Sequence, residues 1–91
     1  QYRIPILQAL VELGGRAQKK MVLELVYEKM KDDFGQEDLE ELSSGQIRWF
    51  NTASWEYSQM KREEGLFKEN VPNGIWEISD KGRKYLQENT P

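Results

Sequence analysis

The sequence predicts an α+β fold in which a small helical body carries a two-stranded β-hairpin and a closing helix. Three observations in the C-terminal half lead to this prediction. A helical segment ends at Gly65, and glycine tolerates the left-handed conformation that a helix C-terminus often needs. Asn73-Gly74 is typical of a tight hairpin turn, whose two central residues need positive φ. Trp76 and Ile78 then occupy alternate positions, as in a strand with one face on a core.

The first helix is expected between Pro5 and Leu13. Proline suits the first position of a helix, because its missing N–H would have no partner there. The apolar residues of this segment share one helical face: Ile6, Leu7, Leu10 and Leu13. Gly14-Gly15 ends the helix, and residues 16–17 are expected to form a very short extended segment.

The second helix is expected from Lys19 to about Lys31, with Gln18 as a mediocre N-cap. Its apolar residues repeat at helical spacing: Met21, Val22, Leu25, Val26 and Met30. Residues 32–45 are acidic and contain glycine and serine, so we expect a long connection with one helical turn around Leu39. This connection is also where we expect the greatest mobility.

The third helix is expected from about Asn51 to Glu64, followed by a closing helix that Ser79 caps. Successive residues of a helix are about 100° apart, which separates two faces of the third helix. The inner face holds Ala53, Tyr57 and Met60. The outer face holds Asn51, Trp55, Ser58, Gln59 and Arg62. Trp49 and Phe50 precede this helix and are interpreted as core or staple residues.

A helical body, a hairpin "wing" and a closing helix are the plan of the winged-helix domain, a helix-turn-helix variant used mainly to bind double-stranded DNA. The third helix lies immediately before the wing, so it is the predicted recognition helix. Asn, Gln and Arg side chains can make bidentate hydrogen bonds to base edges, and an exposed aromatic ring can contact a base methyl group. A structural role for Trp55, against the wing or the second helix, stays open.

The charge distribution qualifies the DNA hypothesis. The net charge is −3, but positions 32–41 hold six acidic residues and no basic one, so the rest of the chain carries +3. The side chains expected to contact the DNA backbone are Arg16, Lys19, Lys20 and Arg48. Those expected to act in the wing are Lys68, Asn70 and Asn73. Ordinary solvated helix faces would explain any one of these clusters equally well.

Composition excludes several classes of function. The chain has no cysteine and no histidine, which excludes disulfides, thiolate ligands and histidine chemistry. The acidic segment 32–35 lacks the alternating ligands of a calcium loop, so we expect neither metal nor cofactor. No apolar run is long enough to cross a membrane. We expect one domain over 91 residues, cut from a longer protein because no initiator methionine is present, and a cytoplasmic, nucleoid-associated location in a prokaryote.

The chain resembles the N-terminal winged-helix domain of Mrr-type restriction endonucleases over nearly its whole length. The resemblance rests on the order and spacing of several weak motifs: Leu13-Gly14-Gly15, a helix beginning near Lys19, Ser44-Gly45 to Phe50-Asn51, Trp55 with Met60, Gly65-Leu66, Gly74 to Ile78, and Gly82. In that family the domain is a DNA-binding module placed before a nuclease domain, and such enzymes often cut DNA with methylated bases. The resemblance therefore implies a recognition module with double-stranded, and in some cases methylated, DNA as its partner.

The chain itself is not expected to be an enzyme. Nucleases similar to the Mrr type hold magnesium through an Asp and a Glu-x-Lys pair, but no lysine here has an acidic residue two positions before it. Two alternatives to a restriction module remain: a winged helix that docks a protein partner, and the domain of a transcriptional regulator. Net negative charge, balanced charges on the third helix and exposed aromatic residues favour the protein partner.

Overall fold

The computed structural model describes residues 1–90, which form a winged-helix-like α+β fold, as predicted. Its elements in chain order are α1 (Arg3–Glu12), β1 (Arg16–Gln18), α2 (Lys19–Met30), α3 (Arg48–Glu64), β2 (Ile75–Glu77) and α4 (Asp80–Asn89). Two 3₁₀ turns, Lys31–Asp33 and Glu37–Leu39, lie between α2 and α3. The second of these turns is the predicted helical turn around Leu39.

The two strands form an antiparallel sheet in which Ala17 of β1 lies opposite Trp76 of β2. The extended segment predicted at positions 16–17 is therefore one of the two strands. The other arm of the expected hairpin contributes only an isolated bridge between Phe67 and Ile78, supported by a hydrogen bond from Lys68 N to Glu77 O at 2.8 Å. The chain bends away after Lys68, so this arm does not extend into a full strand.

The turn before β2 differs in type from the prediction. Gly74 has the expected positive φ of 84°, but no residue other than glycine has a positive φ within residues 1–90, so Asn73 does not. Ile75 N donates to Pro72 O at 3.1 Å, which closes a four-residue turn with glycine at its third position. A type II turn has this pattern, and it requires positive φ only at that glycine.

Two helices begin earlier than predicted. α1 starts at Arg3, so Pro5 is its third residue, where the missing N–H still costs nothing because first-turn amides have no partner within a helix. α3 starts at Arg48, so Trp49 and Phe50 belong to its first turn. α3 ends at Gly65, which has φ 67° in the left-handed region, as predicted.

The core is formed by buried side chains of α1, α2, α3 and β2, with partly buried side chains of α4 packed against it. α1 packs against α2, α3 and α4, with Ile6, Leu7, Ala9 and Leu10 buried. On α2 the buried residues are Val22, Leu23, Val26 and Met30. Met21, which was among the apolar residues at helical spacing, is 48 % exposed, whereas Leu23, which was not, is buried. Trp76 and Ile78 are both buried, as the strand pattern predicted.

α4 is attached to the end of α3 through Ser79 and Gly82. Ser79 Oγ accepts a hydrogen bond from Gly82 N at 3.0 Å, which is the predicted N-cap, and donates one to Gly65 O at 2.6 Å. A side chain at Gly82 would overlap the backbone carbonyl oxygen of Leu66. The close approach of α4 to the segment after α3 therefore requires glycine at this position.

Candidate nucleic-acid interface

The inner face of α3 fixes the position of its outer face. Ala53, Tyr57 and Met60 are buried, as predicted. The Tyr57 ring stacks on the Trp76 ring with the two planes 5° apart and the centroids 3.6 Å apart. Burial raises the pKa of the Tyr57 hydroxyl to about 12, so this group stays neutral at physiological pH. The contact joins α3 to β2 and holds the helix in one rotation about its axis.

Trp55 lies on the opposite side of α3 and is 63 % exposed. The alternative in which it leans against the wing or α2 is therefore wrong. Trp55 lines a shallow concavity of about 180 Å³ together with Ser58, Gln59, Arg62 and Glu63. Four of the five residues predicted on the outer face thus meet around one depression, whereas Asn51, which is exposed one turn earlier, does not line it.

Glu63 was not among the predicted site residues. Its helical position, two turns after Trp55 and one after Gln59, was a signal that could have identified it. Its carboxylate places a negative charge beside Arg62 in the concavity. The concavity is therefore a mixed surface of one aromatic ring, one hydroxyl, one amide and two opposite charges.

Arg16 was predicted to contact the DNA backbone, and Lys68 was predicted to act in the wing. The fold brings both side chains to the same carboxylate. Arg16 Nη1 lies 2.7 Å from Glu77 Oε1, and Lys68 Nζ lies 3.0 Å from Glu77 Oε2. These hydrogen bonds, first that of Lys68 and then that of Arg16, lower the pKa of the Glu77 carboxyl. Glu77 thus offsets part of the positive charge at this end of the molecule.

The wing tip adjoins the start of α2. Lys19 N donates to Gly74 O at 2.8 Å, and this bond ties the turn to the first residue of the helix. Asn70 and Asn73 are exposed in the same loop. The first turn of α2 contains no acidic residue, so Lys19 and Lys20 add positive charge to the positive end of the helix dipole. Arg16, Lys19 and Lys20 therefore adjoin the predicted wing residues at this end of the molecule.

Lys19 and Arg48 each have a neighbour that restricts them. Lys19 Nζ lies over the Phe50 ring, 5.4 Å from its centroid. Arg48 is exposed at the start of α3, where its backbone N donates to Glu40 O at 2.8 Å. The acidic connection thus ends directly at the first turn of α3. Arg48 is not among the residues whose contacts join β1, the start of α2 and the wing.

A second depression escaped the sequence analysis. It has a volume of about 480 Å³, lies between α2 and the first turn of α3, and is lined by Lys20, Leu23, Glu24, Tyr27, Glu28, Trp49 and Phe50. We call it the α2–α3 groove. Trp49 is buried and Phe50 half-buried, as expected of core or staple residues, but both also reach this groove.

These features define a class: a small winged-helix-like module whose third helix turns an aromatic and polar face outward. The model of the Mrr N-terminal domain matches residues 1–88, and the chain belongs to this family. The family is associated with restriction systems, and in it this domain is the non-catalytic part. No curated protein and no solved structure matches the chain at a significant level.

No group of three or more acidic side chains within residues 1–90 is arranged to hold a metal ion. None of the helices in this part of the chain is both long and apolar enough to span a membrane.

Proposed function

We propose that this chain is the double-stranded DNA recognition module of a modification-dependent restriction endonuclease. The observation that carries the proposal is the outer face of α3, with Trp55 63 % exposed among hydrogen-bonding side chains, in a chain of the Mrr N-terminal family. A single exposed apolar residue is ordinary on a protein surface. A role in binding is supported because Trp55 lines a concavity together with side chains that can form hydrogen bonds.

The chemistry of this face suits base edges. Asn51 and Gln59 can each pair with adenine through two hydrogen bonds, and Arg62 can do the same with guanine. Trp55 lies between them along the helix and offers an apolar surface to a methyl group in the major groove. Burying one methyl carbon is worth only about 0.8 kcal/mol, so recognition of methylation also needs the polar neighbours to hold the base in place.

The surface formed by the start of α2 and the wing supports binding to the phosphate backbone. Arg16, Lys19 and Lys20 lie beside the positive end of α2, and Lys68 and the exposed asparagines of the wing tip adjoin them. Backbone contacts of this kind position a protein on DNA without selecting a sequence. Residues of α2 and the wing would thus supply affinity for DNA of any sequence, and α3 would discriminate between bases.

The proposal assigns cleavage to another part of the parent protein. A fused nuclease domain would cut DNA that this module has bound, in the cytoplasm of a prokaryotic cell at the nucleoid. The Glu-x-Lys pair used by similar nucleases is missing from this chain, which agrees with a recognition role.

A titration of short duplexes at two salt concentrations tests the proposal. Three phosphate contacts should lower the affinity roughly 40-fold between about 50 mM and about 200 mM salt, because counterions are released on binding. Methylated and unmethylated versions of the same duplexes test for modification sensing. Absence of binding at the lower salt concentration would overturn the proposal.

The rival function, docking of a protein partner through α3, is favoured by one observation. The basic residues of α3, Arg48, Lys61 and Arg62, are matched by Glu56, Glu63 and Glu64, so the helix has no net positive charge. Binding to a protein through the Trp55 ring and its uncharged neighbours would depend less on salt than binding to phosphates does. The salt titration therefore separates the two functions.

A further inference from the structure

The α2–α3 groove has no part in the proposed reading of DNA by α3. Its walls are apolar: Leu23 and Tyr27 from α2 face Trp49 and Phe50 from α3. Tyr27 is 37 % exposed, although its ring lies 5.7 Å from that of Trp49 and 6.0 Å from that of Phe34. The volume of about 480 Å³ is large enough for one or two side chains of a partner.

The rim of this groove is acidic. Glu24 and Glu28 lie one turn apart on α2 and both line the groove. Glu28 forms an ion pair with Lys31 at 2.9 Å, whereas Glu24 has no ion-pair partner within residues 1–90. Lys20, at the N-terminal end of the groove, is the basic residue that lines it.

The acidic connection extends this negative charge. Phe34 stacks on Trp49 with the ring centroids 5.3 Å apart, which places the start of the acidic connection beside a residue that lines the groove. Positions 32–41 of that connection hold six acidic residues and no basic one. This charge favours a basic polypeptide segment over a phosphate backbone, which would meet Lys20 only at the N-terminal end of the groove.

We propose that the α2–α3 groove docks an arginine-containing basic segment of a partner polypeptide. Arginine combines an apolar stem, which would fit against Phe50, with a planar cation that stacks on aromatic rings. Its guanidinium group would lie over Tyr27 and pair with Glu24. The position of Lys19 Nζ over the Phe50 ring illustrates the same attraction within the chain. The module would then bind DNA through one surface and a protein through another.

The test is a titration of the chain with end-blocked tetra-arginine, tetralysine and tetracitrulline peptides, followed by amide NMR shifts. Citrulline has the shape of arginine without its charge, and lysine has the charge without the planar group. We expect shifts centred on α2 and the first turn of α3. The affinity for the arginine peptide should exceed that for the lysine peptide by about twofold, because both cations are attracted to an aromatic face but only the planar guanidinium also stacks on it. The citrulline peptide should not bind.

Three variants distinguish specific binding in the groove from non-specific attraction of basic peptides to acidic side chains. Tyr27→Leu should abolish the preference for arginine over lysine while leaving the charge unchanged. Glu24→Gln should weaken binding of both peptides more than Glu37→Gln, a matched control that removes the same charge from the flanking segment. Equal affinities for the arginine and lysine peptides, equal effects of the two glutamine variants, or no binding at all would overturn the proposal. Neither Tyr27 nor Glu24 belongs to the outer face of α3, so these results do not bear on DNA binding.

Discussion

Trp55 and Tyr57 are two aromatic residues of the same helix that lie on opposite faces and have opposite surroundings. Tyr57 is 7 % exposed and stacks on Trp76, whereas Trp55 is 63 % exposed beside polar and charged side chains. The inner ring joins α3 to the sheet, and the outer ring contributes nothing to that packing. The difference shows that one face of α3 holds the helix in place, while the other takes no part in that packing.

The largest effect is expected on the inner face. Tyr57→Ala should lower the free energy of unfolding by about 3–5 kcal/mol, because it removes a buried ring and leaves a cavity against Trp76. Trp55→Ala should change it by no more than about 0.5 kcal/mol, as for other exposed positions. Chemical denaturation of both variants measures the contrast. Similar losses in the two variants would contradict the division of α3 into a packing face and a binding face.

The next largest effect concerns affinity for DNA of any sequence. Replacing Arg16, Lys19 and Lys20 together with glutamine should weaken binding to every duplex alike and reduce the slope of log affinity against log salt by about three. Titrations at several salt concentrations measure both. Unchanged affinity at low salt would show that α2 and the wing do not contact phosphates, and would leave α3 as the whole interface.

A smaller effect is expected on discrimination. Trp55→Ala should reduce the preference for methylated over unmethylated duplexes about fourfold, which corresponds to one methyl carbon no longer buried. It should reduce overall affinity less. Paired duplexes that differ only in methylation provide the measurement, after circular dichroism has established that the variant is folded. Equal affinity of the unaltered chain for both duplexes would remove methyl recognition from the proposal.

The smallest effect is expected at Glu77. Glu77→Gln should raise affinity for all duplexes slightly, because Arg16 and Lys68 would no longer share a carboxylate. The substitution should also change how the stability of the fold depends on pH in the acidic range. Hydrogen bonds lower the folded-state pKa of Glu77, so its stabilising effect is present above the ordinary value of 4.5 and is lost as the pH falls through the lowered pKa. Thermal unfolding between neutral and acidic pH should therefore depend less steeply on pH in the variant.

Arg3 and Glu64 provide the reference for that measurement. Arg3 Nη2 lies 2.6 Å from Glu64 Oε2, and this hydrogen bond lowers the pKa of the Glu64 carboxyl. The pair joins the start of α1 to the end of α3, away from the Glu77 cluster. The stability of Glu77→Gln should therefore still fall to some extent at acidic pH. If it did not depend on pH at all, Glu77 alone would determine the loss of stability in acid.

Much of the fold was predictable because it depends on local patterns. Gly65 marks the end of α3, and Ser79 marks the start of α4. The helical spacing of the apolar residues identifies the inner face of α3. The start of α3 was placed three residues late, since Trp49 and Phe50 resemble residues that precede a helix as much as residues within it. The type of the turn at Asn73-Gly74 was missed because that dipeptide fits more than one turn.

The sequence by itself determined the order of elements, the two faces of α3 and the concentration of acid in one connection, because each follows from residues close together in the chain. The tertiary structure decided which distant segments meet. It paired β1 with β2, brought Arg16 and Lys68 to Glu77, and placed Tyr27 opposite Trp49 to form the α2–α3 groove. Contacts over such distances depend on how whole helices pack, and no short-range periodicity in the sequence encodes them.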